Sequence, residues 1–159
     1  FLNPPESLCK GCPAGSVAVE AARICSGGKV FAIERQAEAA DLIRTNAARL
    51  AAGNLTVVEG EAPDVFQKLP VPTHAFIGGS AGRMRDIVCS LKERSPGIRI
   101  VINTVTMEGL AQVTELIREG ILADAQIVQV SCARAASLGG YHLMRAENPV
   151  YITAAGGAE

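Results

Sequence analysis

Short apolar runs alternate along the chain with longer stretches whose apolar residues recur at helical spacing. Residues 29–34 (KVFAIE), 55–59 (LTVVE), 74–78 (HAFIG) and 98–103 (IRIVIN) read as buried strands. Residues 15–25 (GSVAVEAARIC), 37–52, 82–94 and 107–119 read as helices, with Gly53-Asn54, Pro96-Gly97 and Gly120 as stop signals. A short helix is predicted over 63–69, closed by Pro70 and Pro72. A polar first strand is expected around 7–10. Two late strands, 126–133 and 150–154, are joined by a turn at Gly139-Gly140. This alternation predicts an α/β fold: a mostly parallel, doubly wound sheet with right-handed crossovers and helices on both faces. With no helix between them, the last two strands are predicted to form a hairpin. That hairpin puts one antiparallel strand at the sheet's edge and separates the chain from an all-parallel dehydrogenase.

Composition narrows the class. The chain has 159 residues, 48% of them hydrophobic but only 4% aromatic, with no Trp, so Ala, Val, Ile and Leu must build the core. The length fits a single domain over 1–159. The glycine-rich segment comes so soon that an N-terminal portion is expected to be missing. A net charge of -1 argues against a nucleic-acid surface, and no apolar run approaches the ~20 residues of a membrane span. Five cysteines (Cys9, Cys12, Cys25, Cys89, Cys132) are too irregular for a disulfide framework and suggest a reducing, cytoplasmic setting. Cys9-Lys10-Gly11-Cys12 lacks the second pair a zinc site needs, so no metal is expected. Cys25, Cys89 and Cys132 read as core residues.

Ligands of this fold sit beyond the carboxyl ends of the strands. The first such loop is Gly11-Cys12-Pro13-Ala14-Gly15. The helix starting near Ser16 offers free N–H groups to a carboxylate, although an ordinary turn has the same composition. Glu34 ends the second strand about 20 residues on, where an acid accepts from ribose hydroxyls; otherwise it is a solvated strand-end glutamate. Arg35 follows it. In Glu59-Gly60-Glu61-Ala62-Pro63, Glu61 is placed to accept from an adenine amino group and the Ala62 backbone to meet the ring edge; the alternative is an exposed acidic turn. Gly78-Gly79-Ser80-Ala81-Gly82 leaves room for a bulky ligand, or is a turn capped by Ser80.

The segments GSVAVEAAR, KVFAIERQAEAADLIRTNAARL, VVEGEAPDVF, FIGGSAGRMRDIV, VINTVTMEGL and LGGYHLMRAENPVYI stand in an order and spacing that resemble one family. These are the decarboxylating C15-methyltransferases of corrin (cobalamin) synthesis, acting on precorrin-6Y or cobalt-precorrin-6B, alone or as the C-terminal half of a fused C5,15 enzyme. The resemblance covers nearly the whole chain. It implies the class I S-adenosyl-L-methionine (SAM) methyltransferase fold, with seven strands and a closing antiparallel hairpin. It also implies SAM as cofactor, a tetrapyrrole substrate and a homotetramer. The reaction implied is methylation of C15 with loss of carbon dioxide from the C12 acetate. Gly11, Gly15, Glu34, Glu61, Ala62 and Gly79 fall where the family contacts SAM; Ser16, Arg35 and Gly78 lie beside them. The first motif departs from the family's Asp-x-Gly-x-Gly-x-Gly: Cys9 holds the acid position and Pro13 replaces the middle glycine.

A polyanionic tetrapyrrole needs partners for its carboxylates. Arg83, Arg85, Arg134 and Arg145 are candidates, as guanidinium pairs with carboxylate bidentately; each is equally an ordinary surface or subunit-contact arginine. Ser80 lies beside them. Asn103 at a strand end, and Tyr141 and His142 in the late hairpin, are the candidates for a catalytic part, against cap and solvent roles. His74 reads as structural. Two other readings stand beside the enzyme: a non-catalytic subunit of the same fold, which Cys9 and Pro13 favour, and an NAD-type oxidoreductase, which the incomplete G-x-G-x-x-G pattern disfavours.

Overall fold

The computed structural model describes residues 6–10 and 15–157. Five parallel strands, β1 (Glu6–Lys10), β2 (Lys29–Glu34), β3 (Leu55–Glu59), β4 (His74–Ile77) and β5 (Arg99–Thr104), alternate with α1 (Ser16–Ile24), α2 (Ala37–Arg49), α3 (Met84–Arg94) and α4 (Met107–Arg118). Four strands follow: β6 (Gln126–Val130), β7 (Ala133–Leu138), β8 (Tyr141–Ala146) and β9 (Val150–Ala155). The main sheet has seven strands in the order β3-β2-β1-β4-β5-β9-β6; β7 and β8 form a separate two-stranded sheet.

Period-two alternation splits the core between the sheet's two faces. Val30 and Ala32 of β2 meet Ala18, Val19 and Ala22 of α1 and Ile43 of α2. Ile33, from the opposite face, joins Ile87, Val88 and Leu91 of α3 and Val113 and Leu116 of α4. Burial of each Leu or Ile side chain contributes roughly 1.5–3 kcal/mol. Between the layers, Asn54 Nδ2 donates towards the carbonyls of Ala22, Cys25 and Gly28, tying the end of α1 to the start of β3.

The boundaries of β2 and β3 match the sequence reading. Helix α2 stops at Arg49 rather than at 52, because Ala51 takes φ 55. Helix α3 starts at Met84 rather than at 82, because Ala81 (φ 50) and Gly82 (φ 84) are left-handed. The 63–69 segment keeps only a 3-10 turn, Phe66–Lys68.

The late region corrects the sequence reading twice. The antiparallel strand β9 lies between β5 and β6 instead of at the edge. The Gly139-Gly140 turn joins β7 to β8, a hairpin inserted between the two strands it was expected to connect. Nearly every residue of that hairpin is exposed, with Ala136 half-buried. Cys132, expected in the core, is exposed between β6 and β7, while Cys25 and Cys89 are half-buried.

Candidate functional site at the strand ends

Strands β2, β3 and β4 open at their carboxyl ends onto a cavity of about 240 Å³. Its described lining is Ile33, Glu34, Arg35, Gly60, Glu61, Gly79 and Ala81. Glu34 is held by its own chain: Oε1 accepts from the backbone N–H of Arg35 (2.9 Å) and of Gln36 (3.0 Å). One oxygen is thereby fixed at the start of α2, and Oε2 makes no protein hydrogen bond among the described residues. An ionised carboxylate only accepts, so this oxygen suits a hydroxyl donor. Gly60 N–H donates to the Glu34 carbonyl at 3.0 Å. With φ 147, a Cβ at Gly60 would overlap Val65, so glycine is required there. Glu59, level with Glu34 in the β2–β3 register, is turned aside by Arg44 (2.7 Å). Donation to Glu59, then to Asp41, holds the pKa of the Arg44 guanidinium above its ordinary value.

A second cavity of about 260 Å³ lies at the ends of β4 and β5 and the start of α4. It shares Gly79 and Ala81 with the first. Its polar lining is Ser80, Asn103, Thr104, Thr106, Glu108 and Gln112. Thr106 Oγ1 accepts from Gly109 N–H at 3.1 Å and caps α4. Asn103 Oδ1 and Thr104 Oγ1 are buried without a hydrogen-bond partner among the described residues. Buried polar atoms are ordinarily paired, so these two mark a place where a ligand or water completes the bonding.

The structure groups some candidates and scatters others. Glu34, Arg35, Glu61 and Gly79 share the first cavity; Gly78, Gly79, Ser80 and Asn103 share the second. Gly11 lies outside the described residues, as do Cys12 and Pro13; of Cys9 only the strand backbone is described. Gly15 is buried at the start of α1 with φ 68, and exposed Ser16 follows it; α1 has no side-chain cap. Ala62, whose backbone is expected to meet a ring edge, follows the cavity-lining Glu61 directly and has its side chain buried in the cluster that holds Phe66. Arg83 is engaged within the chain. Its Nη1 and Nη2 donate to Asp64 Oδ2 (3.0 Å) and Oδ1 (2.9 Å), and Asp86 lies 3.6 Å from Nε. That bonding to Asp64 holds the guanidinium above its ordinary value. Arg85 is likewise engaged, by Glu119. Arg134 and Arg145 are cross-strand neighbours on the hairpin, with Arg134 3.7 Å from Glu147. Tyr141 and His142 are exposed on β8 and are not in the lining of either cavity. His74 Nδ1 pairs with Thr73 Oγ1. Sequence reasoning left out Thr104, Thr106 and Gln112; the Asn-Thr-Val-Thr run directly after a strand was the available signal.

Strand order with one antiparallel strand inserted next to the last, and a carboxylate-rimmed cavity at the tips of β2 to β4, define the class I SAM-methyltransferase form of the nucleotide-binding α/β fold. A SAM-dependent O-methyltransferase from Thermotoga maritima shares that fold: TM-score 0.75 at 16% identity, covering 99% of this chain and 61% of that one. Within the class, the precorrin methyltransferase domain family matches residues 8–155, and the chain belongs to it. A probable cobalt-precorrin-6B C(15)-methyltransferase (decarboxylating) from Pyrobaculum calidifontis is 37% identical over 147 residues, 91% of this chain and 75% of that protein. The crystal structure of precorrin-6y C5,15-methyltransferase from Geobacter metallireducens superposes with TM-score 0.86 at 30% identity, covering 98% of this chain and 82% of that one.

Proposed function

We propose that this chain is a SAM-dependent C-methyltransferase of corrin synthesis that methylates C15 of a precorrin or cobalt-precorrin and decarboxylates its C12 acetate. The observation that carries the reading is Glu34, with one oxygen fastened to the start of α2 and the other without a hydrogen bond among the described residues at the first cavity. An adenosyl group fits these residues. Glu34 Oε2 accepts from a ribose hydroxyl, Gly60 and Gly79 let backbone approach closely, and Glu61 stands at the rim. When bound, the cofactor supplies an electrophilic methyl group. The protein's own part is to hold that group against the second cavity along Gly79 and Ala81, aligning the partners and excluding water. In the decarboxylation, the C–C bond to the carboxylate breaks and its electron pair passes into the macrocycle. Carbon dioxide leaves and water supplies the replacing proton.

The hairpin supports a homo-oligomer, read as a tetramer. An isolated two-stranded hairpin is marginal in water, yet β7–β8 exposes Leu138, Tyr141, Leu143 and Met144, and β6 beside it exposes Ile127, Val128 and Val130. Copies of this chain are the proposed cover. Among the described residues no helix is long and apolar enough to cross a membrane, and the free thiols fit a cytoplasmic setting. An inserted antiparallel strand is foreign to the all-parallel dinucleotide sheet, which counts against an oxidoreductase. Incubation with SAM and either the cobalt-free or the cobalt-containing substrate, followed by mass spectrometry, tests the reading. The expected product has gained one methyl and lost one carbon dioxide. S-adenosylhomocysteine (SAH) binding with neither substrate altered would establish the non-catalytic subunit instead.

A further inference from the structure

The two cavities are separated by one loop, which follows β4. Gly79 and Ala81 line both. The loop is conformationally costly: Ala81 takes φ 50 without being glycine, and Gly82 follows at φ 84. Side chains disfavour this region, so such a backbone persists only where its surroundings dictate it. Two attachments at the loop's end do so. Met84 is buried in the core at 2% exposure. Arg83, whose N–H donates to the Ser80 carbonyl at 3.0 Å, reaches across to the segment after β3 with a two-pronged pair to Asp64.

That pair is poorly placed to serve stability. The side chains of Arg83 and Asp64 are 33% and 62% exposed, and exposed ion pairs contribute little. It is well placed to fix geometry. A planar guanidinium on both oxygens of one carboxylate sets distance and angle together. The segments it joins carry Gly60 and Glu61 on one side and Gly79 and Ala81 on the other, four of the residues around the first cavity. Asp64 itself lines neither cavity.

We propose that Arg83 and Asp64 are a positioning pair: they clamp the post-β3 and post-β4 loops so that the wall shared by the two cavities aligns the methyl donor with the acceptor carbon. Arg83 is thus a structural latch for the site and does not itself bind a substrate carboxylate. The inference rests on the methyltransferase reading above.

The test compares the full-length protein with Arg83→Lys, Arg83→Ala, Asp64→Asn and the Arg83→Ala/Asp64→Asn double variant. Thermal unfolding, calorimetric SAH titration and methylation kinetics with the tetrapyrrole are measured on each. A misplacement of the reacting groups costs on the order of 100-fold in rate. Arg83→Ala and Asp64→Asn are therefore expected to lower kcat/KM on the order of 100-fold, mainly in kcat, with Tm shifted by no more than about 2 °C. The double variant should be no worse than either single one, and lysine, lacking the fork, should rescue only in part. Full activity in Asp64→Asn overturns the clamp. So does a rise in substrate KM confined to the Arg83 variants, which would make Arg83 a direct ligand. Losses that add in the double variant overturn it too. A wild-type protein that neither binds SAH nor methylates removes the methyltransferase reading and this inference together, whereas active wild type with unaffected variants removes this inference alone.

Discussion

Replacing Glu34 separates what its two oxygens do. Oε1 is committed to the N–H groups of Arg35 and Gln36, and Oε2, without a hydrogen bond among the described residues, is the proposed ligand acceptor. Glu34→Gln retains a carbonyl oxygen for the two backbone donors and puts an NH2 group where the ribose acceptor was. A hydrogen bond to a charged group is worth roughly 1.5–3 kcal/mol. At 1.4 kcal/mol per tenfold, SAH binding should weaken by about 10- to 150-fold. Glu34→Ala loses the same acceptor and also strips both N–H groups at the start of α2, a further ~0.5–2 kcal/mol of stability by analogy with a helix cap. Calorimetric titration with SAH and thermal melts on wild type, Gln and Ala variants give both quantities. Both variants should bind weakly, with the Gln variant melting near wild type and the Ala variant several degrees lower, at about 2–4 °C per kcal/mol. A Gln variant that binds SAH within about threefold of wild type, a difference well under 1 kcal/mol, would refute the assignment of Oε2 to the ligand.

Gly15→Ala places a Cβ 2.7 Å from Ile43 Cγ2 at φ 68; left-handed strain of ~1–2 kcal/mol and overpacking of ~1–3 kcal/mol should together lower urea-unfolding stability by roughly 2–5 kcal/mol, and a loss below about 1 kcal/mol contradicts the packing. The Arg85 hydrogen bond holds the Glu119 carboxyl below its ordinary value. A depressed carboxylate contributes stability above its unfolded-state pKa and loses it as pH falls through the lowered folded-state one. Acid titration of stability should therefore be shallower for Glu119→Gln than for wild type in that acidic window, and identical profiles would show that the α3–α4 pair is not linked to folding. Leu143→Glu on the exposed hairpin should lower the mass found by light scattering while leaving the thermal melt cooperative; an unchanged mass would place the subunit contacts elsewhere.

The parts of the fold legible in the sequence are those whose apolar runs are bounded by turn residues. KVFAIE and LTVVE match β2 and β3 because each apolar run begins directly after Gly27-Gly28 or Gly53-Asn54 and ends on an acid. The β7–β8 hairpin was illegible: with ARAASL and YHLMRA exposed on both faces, no alternation marks an inside, and residues 126–133 read as one strand. That Glu34, Glu61 and Gly79 share one cavity was legible because they stand at or just after strand ends, and strand ends converge in this topology. Arg83 was not. Its partner Asp64 lies nineteen residues earlier, across a crossover whose geometry only the folded chain supplies.

The central claim is that the ends of β2, β3 and β4 grip an adenosyl group by its sugar. A crystal structure of the protein grown with SAH tests this most directly. The expected result is density in the first cavity, with a ribose hydroxyl on Glu34 Oε2 and the sulfur directed along Gly79 towards the second cavity. SAH bound elsewhere, or bound there with the Glu34 side chain turned away from the sugar, would contradict it.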